Sequence, residues 1–508
     1  MMPYVLAIDQ GTTSTRAILF DARGAVVASA AQELTQYFPQ PGWVEHDAEE
    51  IWAATASVVA GTLARANCSP QQIASIGVTN QRETVVIWER ATGRPVGRAI
   101  VWQDRRTTEF CRRHAADQPW IRERTGLVLD PYFSATKLQW RLSQDPALLP
   151  LAERGEIVAG TIDSYLIARL TGSVSHVTDY TNASRTMLLD LRRLEWDPEL
   201  AAFFGVPLAM LPKCLPSAAD FGVTHGLSFL PDGITISGVA GDQQAALFGQ
   251  GAFTAGEAKC TYGTGAFFLV HTGSRAIVSQ NQLISTVAAM TDSTPQYALE
   301  GSVFVAGSAV QWLRDGLRII SEASATEELA AQSNPQEPVI FVPGFVGLGA
   351  PYWVPEARGA IFGLTRGTQP ADLARAALEG VAFQVADLID AASHDLNATP
   401  LDLRVDGGMA NNRWFLQAQS DLLGLPVRPA LCAESTALGA AFLAGLRVGV
   451  WKNLDELRAQ LGQSQQFSPA MSPSDRQRRL RTWRRAVRAV MVFAKETESD
   501  SSLIDDGN

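Results

Sequence analysis

Apolar runs separated by turn residues recur along the first half of the chain and predict an α/β sheet. Residues 48–66 repeat apolar side chains at the spacing of one helix face, and the turn 21–24 joins two strand-like runs as a hairpin. The runs with the length of a buried strand are residues 4–8, 16–20, 25–28, 73–79, 84–88 and 99–102. This order of hairpin, helix and strand predicts a sheet of mixed direction.

The pattern begins again after residue 248 and predicts a second unit. A strand at 234–239 leads into a helix that starts within 243–249, and the segment before them, 217–233, has the pattern of a loop. Later strands are predicted at 258–264, 267–270 and 403–406, helices at 307–320, 371–393 and 412–423, and a Pro/Gly-rich loop at 343–355. Since 508 residues exceed the usual size of one core, we expect domains at 1–248 and 249–495.

A last helix is predicted from Ser472-Pro473, where proline suits the first helical turn, to about Lys495. It carries seven arginines between residues 476 and 488, and an apolar stripe runs along it. The stripe consists of Trp483, Val487, Val490 and Ala494. It favours a helix docked on the protein over one that binds nucleic acid or a membrane. The acidic residues 496–508 predict a disordered tail.

Composition narrows the class of protein. A net charge of −10 argues against a general nucleic-acid binder, and the chain lacks a run of eighteen apolar residues that would predict a membrane span. The beginning of the chain does not resemble a secretory signal. Five scattered cysteines without a CxxC motif argue against a disulfide framework or a zinc site. We therefore expect a protein of the reducing cytoplasm.

The turn after the first strand has the chemistry of a phosphate site. Residues 9–16 read Asp-Gln-Gly-Thr-Thr-Ser-Thr-Arg, so one carboxylate, one glycine and four hydroxyls lie between two strands. Glycine admits a phosphate to the backbone, hydroxyls donate to its oxygens, and Asp9 can hold a metal ion. A partial echo, residues 262–265 with the sequence Tyr-Gly-Thr-Gly, opens the second half. Two such turns predict a duplicated nucleotide-binding architecture.

Two further segments place polar groups where a strand meets a helix. Asp242 follows the strand 234–239, and it is interpreted either as a helix N-cap or as a general base or metal ligand. The turn 405–412 contains adjacent glycines and Asn412, which let a ring approach the backbone and hydrogen-bond a base, although many such turns are only structural.

A polyol site is suggested by Arg82 and Glu83, which follow the strand 73–79. Arginine donates to one hydroxyl and glutamate accepts from another, although adjacent Arg and Glu are usually a surface pair. Trp102 and Tyr132 can wall a small pocket or belong to the core. The chain has no GxxxxGK[ST], HExxH or GxSxG motif, which leaves common NTPase, metalloprotease and hydrolase sites unsupported.

Taken in order, these motifs resemble the FGGY family of carbohydrate kinases, and within it the members that phosphorylate glycerol. The resemblance runs from the first turn to about residue 495. Its most specific strings are DQGTTSTR (9–16), PGWVEHD (41–47), TNQRET (79–84), IVWQDRRT (100–107), DPYFSATK (130–137), VTDYTNASRTM (177–187), SGVAGDQQAALFGQ (237–250), TYGTGAF (261–267), GLGAPYW (347–353), ARGAIFGLTRG (357–367) and RVDGG (404–408).

The resemblance implies two actin-like, ribonuclease H-like ATPase domains that flank a catalytic cleft. It implies transfer of the γ-phosphoryl group of MgATP to glycerol, a step of glycerol catabolism that yields sn-glycerol 3-phosphate, in a homodimer or homotetramer. An aspartate, Asp242, is the implied general base, and Asp9 and Asp242 match carboxylates near the Mg²⁺. The positions that match glycerol contacts are Arg82, Glu83, Trp102, Tyr132, Asp242, Gln243 and Phe267. The positions that match ATP contacts are Thr12, Thr13, Ser14, Arg16, Thr264, Gly307, Gln311, Gly408 and Asn412.

Two alternatives stay open at this stage, and two regulatory features differ from the family. The chain can be a kinase for another small polyol or ketose, such as xylulose or erythritol, or an actin-like nucleotide switch without a small substrate. Members inhibited by fructose 1,6-bisphosphate resemble one another in a Gly-Gly-Thr-Arg loop, but residues 230–233 here are Leu-Pro-Asp-Gly. Ser228 stands where some members have a phosphorylatable histidine. We expect neither control to operate.

Overall fold

Two six-stranded sheets, one in each half of the chain, are the framework of a computed structural model that describes residues 3–334, 336, 339–462 and 464–504, with side chains to Lys495. The strands of the first half are β1 Tyr4–Gln10, β2 Ser14–Phe20, β3 Val26–Glu33, β4 Glu45–His46, β5 Ile73–Asn80, β6 Val85–Glu89, β7 Ala99–Ile100, β8 Ile157–Thr161, β9 Val177–Asp179, β10 Leu189–Asp190, β11 Glu195–Trp196, β12 Lys213–Leu215, β13 Ala218–Val223 and β14 Thr235–Gly241. Its helices are α1 Ala48–Ala66, α2 Thr108–Arg113, α3 Gln118–Thr125, α4 Ser134–Gln144, α5 Leu148–Glu153, α6 Ile162–Leu170, α7 Tyr180–Ala183, α8 Pro198–Phe203 and α9 Asp242–Gly249.

The second half holds eight strands and seven α-helices in the part of the chain that the structure describes. The strands are β15 Glu257–Tyr262, β16 Ala266–Gly273, β17 Ile284–Val287, β18 Tyr297–Val303, β19 Ile340–Val342, β20 Ala360–Phe362, β21 Asp402–Gly407 and β22 Val427–Pro429. The helices are α10 Gly307–Gln311, α11 Ala325–Ala331, α12 Pro370–Leu396, α13 Arg413–Leu423, α14 Ser435–Arg447, α15 Leu454–Leu461 and α16 Pro473–Ile504.

The first sheet has the strand order β13-β14-β5-β1-β2-β3. The predicted hairpin is confirmed, because β2 and β3 pair antiparallel on either side of the turn 21–24. Strand β1 also pairs antiparallel with β2, with Val5 opposite Phe20. β1, β5 and β14 are parallel, so their carboxyl ends meet at one edge, where Asn80 lies opposite both Gln10 and Gly241. The side chains that follow these strands are thereby brought together.

The second sheet repeats the design of the first, which confirms the predicted duplication. Its order is β17-β18-β16-β15-β21-β22, in which β15 forms a hairpin with β16 and is parallel to β21. The glycine turn between β15 and β16 therefore corresponds to the turn between β1 and β2. Helix α12 packs across this sheet and supplies many of the residues of its core.

Helix α14 belongs to the second half by sequence but covers the first sheet. It packs on β1, β5 and β14 and on helix α9. Glycines permit this close approach, since a Cβ on Gly77 would lie 2.3 Å from the Ala440 carbonyl oxygen and one on Gly439 would lie 1.9 Å from that of Ala245. Helix α14 therefore packs across the division between domains that the sequence predicts near residue 248.

Several sequence predictions require correction. Residues 217–233 are not all loop, because β13 is an edge strand whose register shift against β14 breaks the apolar alternation. The helix predicted to residue 320 ends earlier, since α10 passes into a π-helical turn, Trp312–Gly316. The expected strand 99–102 is confined to Ala99–Ile100. Helix α16 continues to Ile504, so 496–504 extend it instead of forming a disordered tail, and 505–508 lie outside the described residues.

Helix α16 is docked as its apolar stripe predicts. Trp483 is fully buried, stacks on Phe383 with 5.1 Å between ring centroids, and donates a hydrogen bond of 2.6 Å to Asp387 Oδ2. Arg484 pairs with Asp390 at 2.9 Å on the outer side. Among the helices that the structure describes, none has the length and apolar character needed to cross a membrane.

Candidate active site

The carboxyl ends of β5 and β14 bring Arg82 to Asp242, with 3.1 Å between Arg82 Nε and Asp242 Oδ1. Gly241 makes the approach possible, because a Cβ there would lie 2.7 Å from Arg82 Cδ. The N-cap of α9 is Gly241, so the N-cap interpretation of Asp242 is wrong. The Asp242 side chain keeps 31% exposure, while that of Arg82 keeps 2%. A partly exposed carboxylate beside a buried guanidinium is therefore available to a ligand.

Arg82 and Glu83 are not a surface pair, since both belong to a buried charge cluster with two residues that the sequence did not reveal. Arg82 Nη2 donates to Glu300 Oε1 at 3.0 Å, and Nη1 donates to Oε2. Arg185 Nε donates to Glu83 Oε1 at 2.6 Å, and its Nη2 donates to Glu300 Oε1 at 3.1 Å. Glu300 comes from β18 in the second half, so the cluster joins the two halves.

Glu83 has a left-handed backbone, with φ +62°, which is uncommon for a residue with a side chain. Its carbonyl oxygen accepts from Ser134 Oγ at 3.1 Å, and its carboxylate accepts from Arg185. The strained backbone is thus fixed at both ends of the residue, which is common at binding sites.

Trp102 and Tyr132 lie together as one wall of the site. Their rings form an edge-to-face pair with centroids 5.5 Å apart, and Trp102 Nε1 donates to Thr12 Oγ1 at 2.9 Å. Lys137 holds the turn that carries Tyr132 by donating to the carbonyl oxygens of residues 131, 132 and 133 at 2.8, 2.6 and 3.0 Å. The aromatic wall is therefore attached directly to the turn predicted to bind phosphate.

Gln243 and Phe267 approach the same region from the two halves. The Gln243 side-chain oxygen accepts from Lys259 Nζ, which also donates to Thr261 Oγ1 at 3.0 Å. Phe267 is half-buried on β16 opposite Thr261 and Ser302, which places it on the face of the second sheet that carries Glu300. Lys259 is a further residue of this region that the sequence did not indicate.

The predicted nucleotide residues of the second half all line one cavity of about 430 Å³. They are Thr264, Gly307, Gln311, Gly408 and Asn412. The Thr264 carbonyl oxygen accepts from the amides of Ala306 and Ser308 at 2.9 and 3.1 Å, which fastens the glycine turn to the start of α10. Arg314, Ser324 and Thr326 also line this cavity and had no signal in the sequence.

The two adjacent glycines of the turn after β21 differ in their surroundings: the backbone conformation and packing require glycine at the first, and the second faces open space. Gly407 has φ +86°, and a Cβ on it would lie 2.2 Å from the Tyr262 carbonyl oxygen, whereas a Cβ on Gly408 would meet nothing within 4 Å. Asn412 serves as N-cap of α13 through a 2.8 Å bond from the Phe415 amide, and its Nδ2 donates to Thr326 Oγ1 at 3.2 Å. Its side chain is therefore engaged in holding the cavity wall.

The turn Thr12, Thr13 and Ser14 and the neighbouring Arg16 lie outside the lining of that cavity, on the hairpin of the first sheet. The Gly11 amide donates to the Ser14 carbonyl oxygen at 2.9 Å, which closes the turn. Arg16 is opposite Asp9 in the β1–β2 ladder and pairs with Glu434, just before α14, at 3.1 Å. The structure thus divides the predicted ATP contacts between a turn of the first half and a cavity of the second.

The carboxylates at the edge of the first sheet suit a divalent cation. Desolvation, together with the charges of Asp242 and Glu434, raises the pKa of Asp9 to about 7 against the attraction of Arg16. Desolvation also raises the pKa of Asp242, against the opposing effect of Arg82 and Lys259. A nearby Mg²⁺ would stabilise both ionised forms. Among the described residues there is no cluster of three or more His, Cys, Asp or Glu side chains that could hold a metal ion.

Comparison with known proteins places the chain in a family. Residues 4–249 match the model of the N-terminal domain of the FGGY family of carbohydrate kinases, and residues 258–448 match that of the C-terminal domain. The glycerol kinase of Geobacillus kaustophilus is 51% identical over 97% of this chain and all of its own, and that of Thermus thermophilus is 50% identical over the same shares.

Solved structures agree with this assignment. The Plasmodium falciparum glycerol kinase with ADP is 37% identical with a TM-score of 0.92, covering 96% of this chain and 98% of that one. A ligand-bound xylulose kinase from Lactobacillus acidophilus, at 23% identity and a TM-score of 0.84 over 97% of this chain and 98% of that one, shares the fold. The chain, with two ribonuclease H-like domains, belongs to the FGGY family of carbohydrate kinases.

Proposed function

We propose that this protein transfers the γ-phosphoryl group of ATP to glycerol, giving sn-glycerol 3-phosphate and ADP. The observation that carries the proposal is the contact between Arg82 and Asp242 at the meeting point of the parallel strands, with Glu83 beside them. The names of the relatives at about 50% identity over nearly the whole chain support the same reaction.

Glycerol would lie against Trp102 and Phe267, with its hydroxyls bonded by charged and polar groups of the first half. Arg82 donates to hydroxyl oxygens and Glu83 accepts from hydroxyl hydrogens. Tyr132 and Gln243 complete the set. An uncharged molecule with three hydroxyls offers few apolar contacts, so directional hydrogen bonds carry its recognition.

Asp242 would act as the general base. An alcohol is a poor nucleophile at neutral pH, and a positioned carboxylate accepts its proton as the new O–P bond forms. Arg82 at 3.1 Å fixes the orientation of that carboxylate while the exposed part of the side chain faces the substrate. The bond between the γ-phosphorus and the bridging oxygen breaks as ADP leaves.

ATP would span the two halves of the molecule. The cavity of about 430 Å³ would hold the nucleoside, with Thr264, Gly307 and Gly408 presenting backbone and hydroxyl groups to it. Thr12, Thr13, Ser14 and Arg16 would meet the phosphates from the first half. Asp9 and Asp242 would hold Mg²⁺, which neutralises phosphate charge and aligns the γ-phosphoryl group when bound.

A substrate panel tests the proposal. Purified protein with MgATP is assayed for ADP release with glycerol, erythritol, a pentulose and no acceptor. We expect release to depend on glycerol and kcat/KM to be highest for glycerol. A higher kcat/KM on a pentulose would favour a ketose kinase, and release that no small acceptor stimulates would favour an actin-like nucleotide switch.

We also propose a cytoplasmic location and a homodimer or homotetramer, as the family resemblance implies. Light scattering during size-exclusion chromatography gives the mass of the assembly, and a mass near 54.7 kDa would show a monomer instead.

A further inference from the structure

Four buried charges form a closed arrangement behind the polyol residues. Arg82 and Glu83 follow β5, Arg185 follows α7, and Glu300 lies in the middle of β18. Each arginine contacts both glutamates, with Arg82 Nε 3.8 Å from Glu83 Oε1. All four side chains are at most 2% exposed. Even when every charge is paired, desolvation offsets much of the attraction within a buried cluster, so its presence here needs a reason beyond stability.

Glu300 fixes the direction of the Arg82 guanidinium. Its two carboxylate oxygens accept from Nη1 and Nη2 of Arg82, which leaves Nε to face Asp242 at 3.1 Å. A forked contact of this kind sets the plane of the guanidinium as well as its position. Although desolvation opposes ionisation, Arg185 and Arg82 lower the pKa of Glu300 to about 2, which keeps it charged.

Arg185 fixes Glu83 in the same way from the other side. Its Nε donates to Glu83 Oε1 at 2.6 Å and supports the left-handed backbone of that residue. Its guanidinium lies over the rings of Phe133 and Tyr132, at 5.3 and 5.7 Å. Nη1 of Arg185 is buried without a hydrogen-bond partner among the described residues. An unsatisfied buried donor destabilises the fold, so the position of this guanidinium serves its contacts with the neighbouring side chains and not its own hydrogen bonding.

We propose that Glu300 and Arg185 are positioning residues for the polyol site, and that Glu300 makes the site depend on contact between the two halves. The proposal rests on the proposed function, because it assigns Arg82 and Glu83 to the polyol. Three of the four members come from the first half and Glu300 from the second. Separation of the halves would remove the carboxylate that aims Arg82, so polyol affinity should fall while the nucleotide cavity, built within the second half, is kept.

The test is a comparison of steady-state constants for Glu300→Gln and Arg185→Lys. Loss of a charge-assisted hydrogen bond predicts a rise in KM for glycerol of about tenfold to a hundredfold, with KM for ATP changed by less than about twofold. Glu300→Asp keeps the charge and should recover part of the loss. A merely structural role would lower the melting temperature without separating the two KM values.

Glu257→Gln is the matched control. Glu257 is also a buried glutamate of the second sheet held by two arginines, Arg404 at 2.8 Å and Arg458 at 3.0 Å, but it lies at the start of β15. We expect this variant to keep both KM values. An unchanged KM for glycerol in folded Glu300→Gln or Arg185→Lys, or an equal rise in the control, would overturn the proposal.

Failure of this proposal is distinguishable from failure of the proposed function. Wild-type protein that shows no glycerol-dependent turnover would reject both. Wild-type turnover with glycerol, together with unchanged KM in the variants, would reject the positioning roles alone. If Glu300→Gln does not fold, Arg185→Lys and Glu300→Asp still decide the question, since each retains a charge in the cluster.

Discussion

The polyol region and the nucleotide cavity are formed by different kinds of groups, charged side chains in the first and backbone turns with small polar residues in the second. Around Arg82 the polar groups are buried charged side chains, each within 2.5 to 3.8 Å of another. Around Gly408 the walls are a glycine turn, helix starts and small polar groups that enclose about 430 Å³. One region recognises by the direction of charged groups, and the other by shape and backbone.

The difference follows from the size of each ligand. A three-carbon polyol offers little surface, so its affinity depends on a few hydrogen bonds whose donors and acceptors cannot move. A nucleotide offers a flat ring and a long chain of phosphates, so a shaped cavity and backbone amides suffice. Substitutions that alter charge should therefore affect the polyol, and substitutions that alter shape should affect ATP.

The largest expected effect is on chemistry, where the two regions meet. Asp242→Asn removes the base but keeps the shape of the side chain, so we expect kcat to fall by at least about a hundredfold while the fold is kept. Stopped assays measure kcat, and circular dichroism shows whether the fold is kept. Turnover near the wild-type value in a folded variant would remove Asp242 from the role of base.

On the polyol side, Tyr132→Phe keeps the aromatic wall and removes one hydroxyl. The loss of one hydrogen bond predicts a rise in KM for glycerol of about tenfold, with little change for ATP. The packing of the ring against Trp102 at 5.5 Å should preserve the melting temperature. Equal changes in both constants would contradict the separation of the two regions.

On the nucleotide side, adjacent glycines offer a matched pair. Gly408→Val places a side chain in open space, so we expect KM for ATP to rise roughly fivefold without a change in melting temperature. Gly407→Ala requires a Cβ 2.2 Å from a carbonyl oxygen at φ +86°, so it should lower the melting temperature instead. A lower melting temperature in Gly408→Val, together with an unchanged melting temperature in Gly407→Ala, would contradict the roles assigned to the two glycines.

A buried carboxyl group outside the site, Asp163, should make the stability of the protein depend on pH. Asp163, bonded by the hydroxyls of Thr161 and Thr178, has its pKa raised to about 7, mainly by desolvation and also by Asp179. In the unfolded chain this carboxyl ionises near pH 3.8. Between pH 3.8 and about 7 the folded protein holds a proton that unfolding releases, so stability falls as the pH rises and levels above about 7. The melting temperature of wild type relative to Asp163→Asn should therefore decline from pH 5 to 7 and then level. A constant difference would contradict the raised pKa.

The smallest expected effect is regulatory. Asp232 accepts from the Gly226 amide at 2.7 Å and from His225 Nδ1 at 2.9 Å. A carboxylate therefore closes this loop, whereas the family members inhibited by fructose 1,6-bisphosphate resemble one another in a Gly-Gly-Thr-Arg loop here. We expect activity to be unchanged by fructose 1,6-bisphosphate. Strong inhibition in a titration would show that the protein binds it through other residues.

The strands that position the site were predictable, and the charges that complete it were not. Apolar runs followed by polar residues located Arg82 and Asp242 at neighbouring strand ends, because parallel strands deliver their carboxyl ends to one edge. Glu300 gave no such signal, since it is a single charge in an apolar strand whose partners lie more than a hundred positions away. The lone carboxylate of the segment YALEGSV was the available hint.

Local irregularity explains the remaining differences. The register shift of β13 removed the alternation that marks a strand, and the π-helical turn after α10 ended a helix whose apolar pattern continues. Helix α14 was predictable neither as a cover of the first sheet nor as a contact of α9, because packing across the chain leaves no periodic trace. From the residues alone the nucleotide cavity was anticipated only at its glycine turns, whereas Gly307 and Gln311 were implied by the family resemblance.

The most direct test of the account is the identity of the product. Purified protein with MgATP and glycerol is assayed in parallel for ADP and, with a dehydrogenase specific for it, for sn-glycerol 3-phosphate. We predict that the two products form in equal amounts and that both depend on glycerol. Release of ADP without sn-glycerol 3-phosphate would contradict the central claim that this site phosphorylates glycerol.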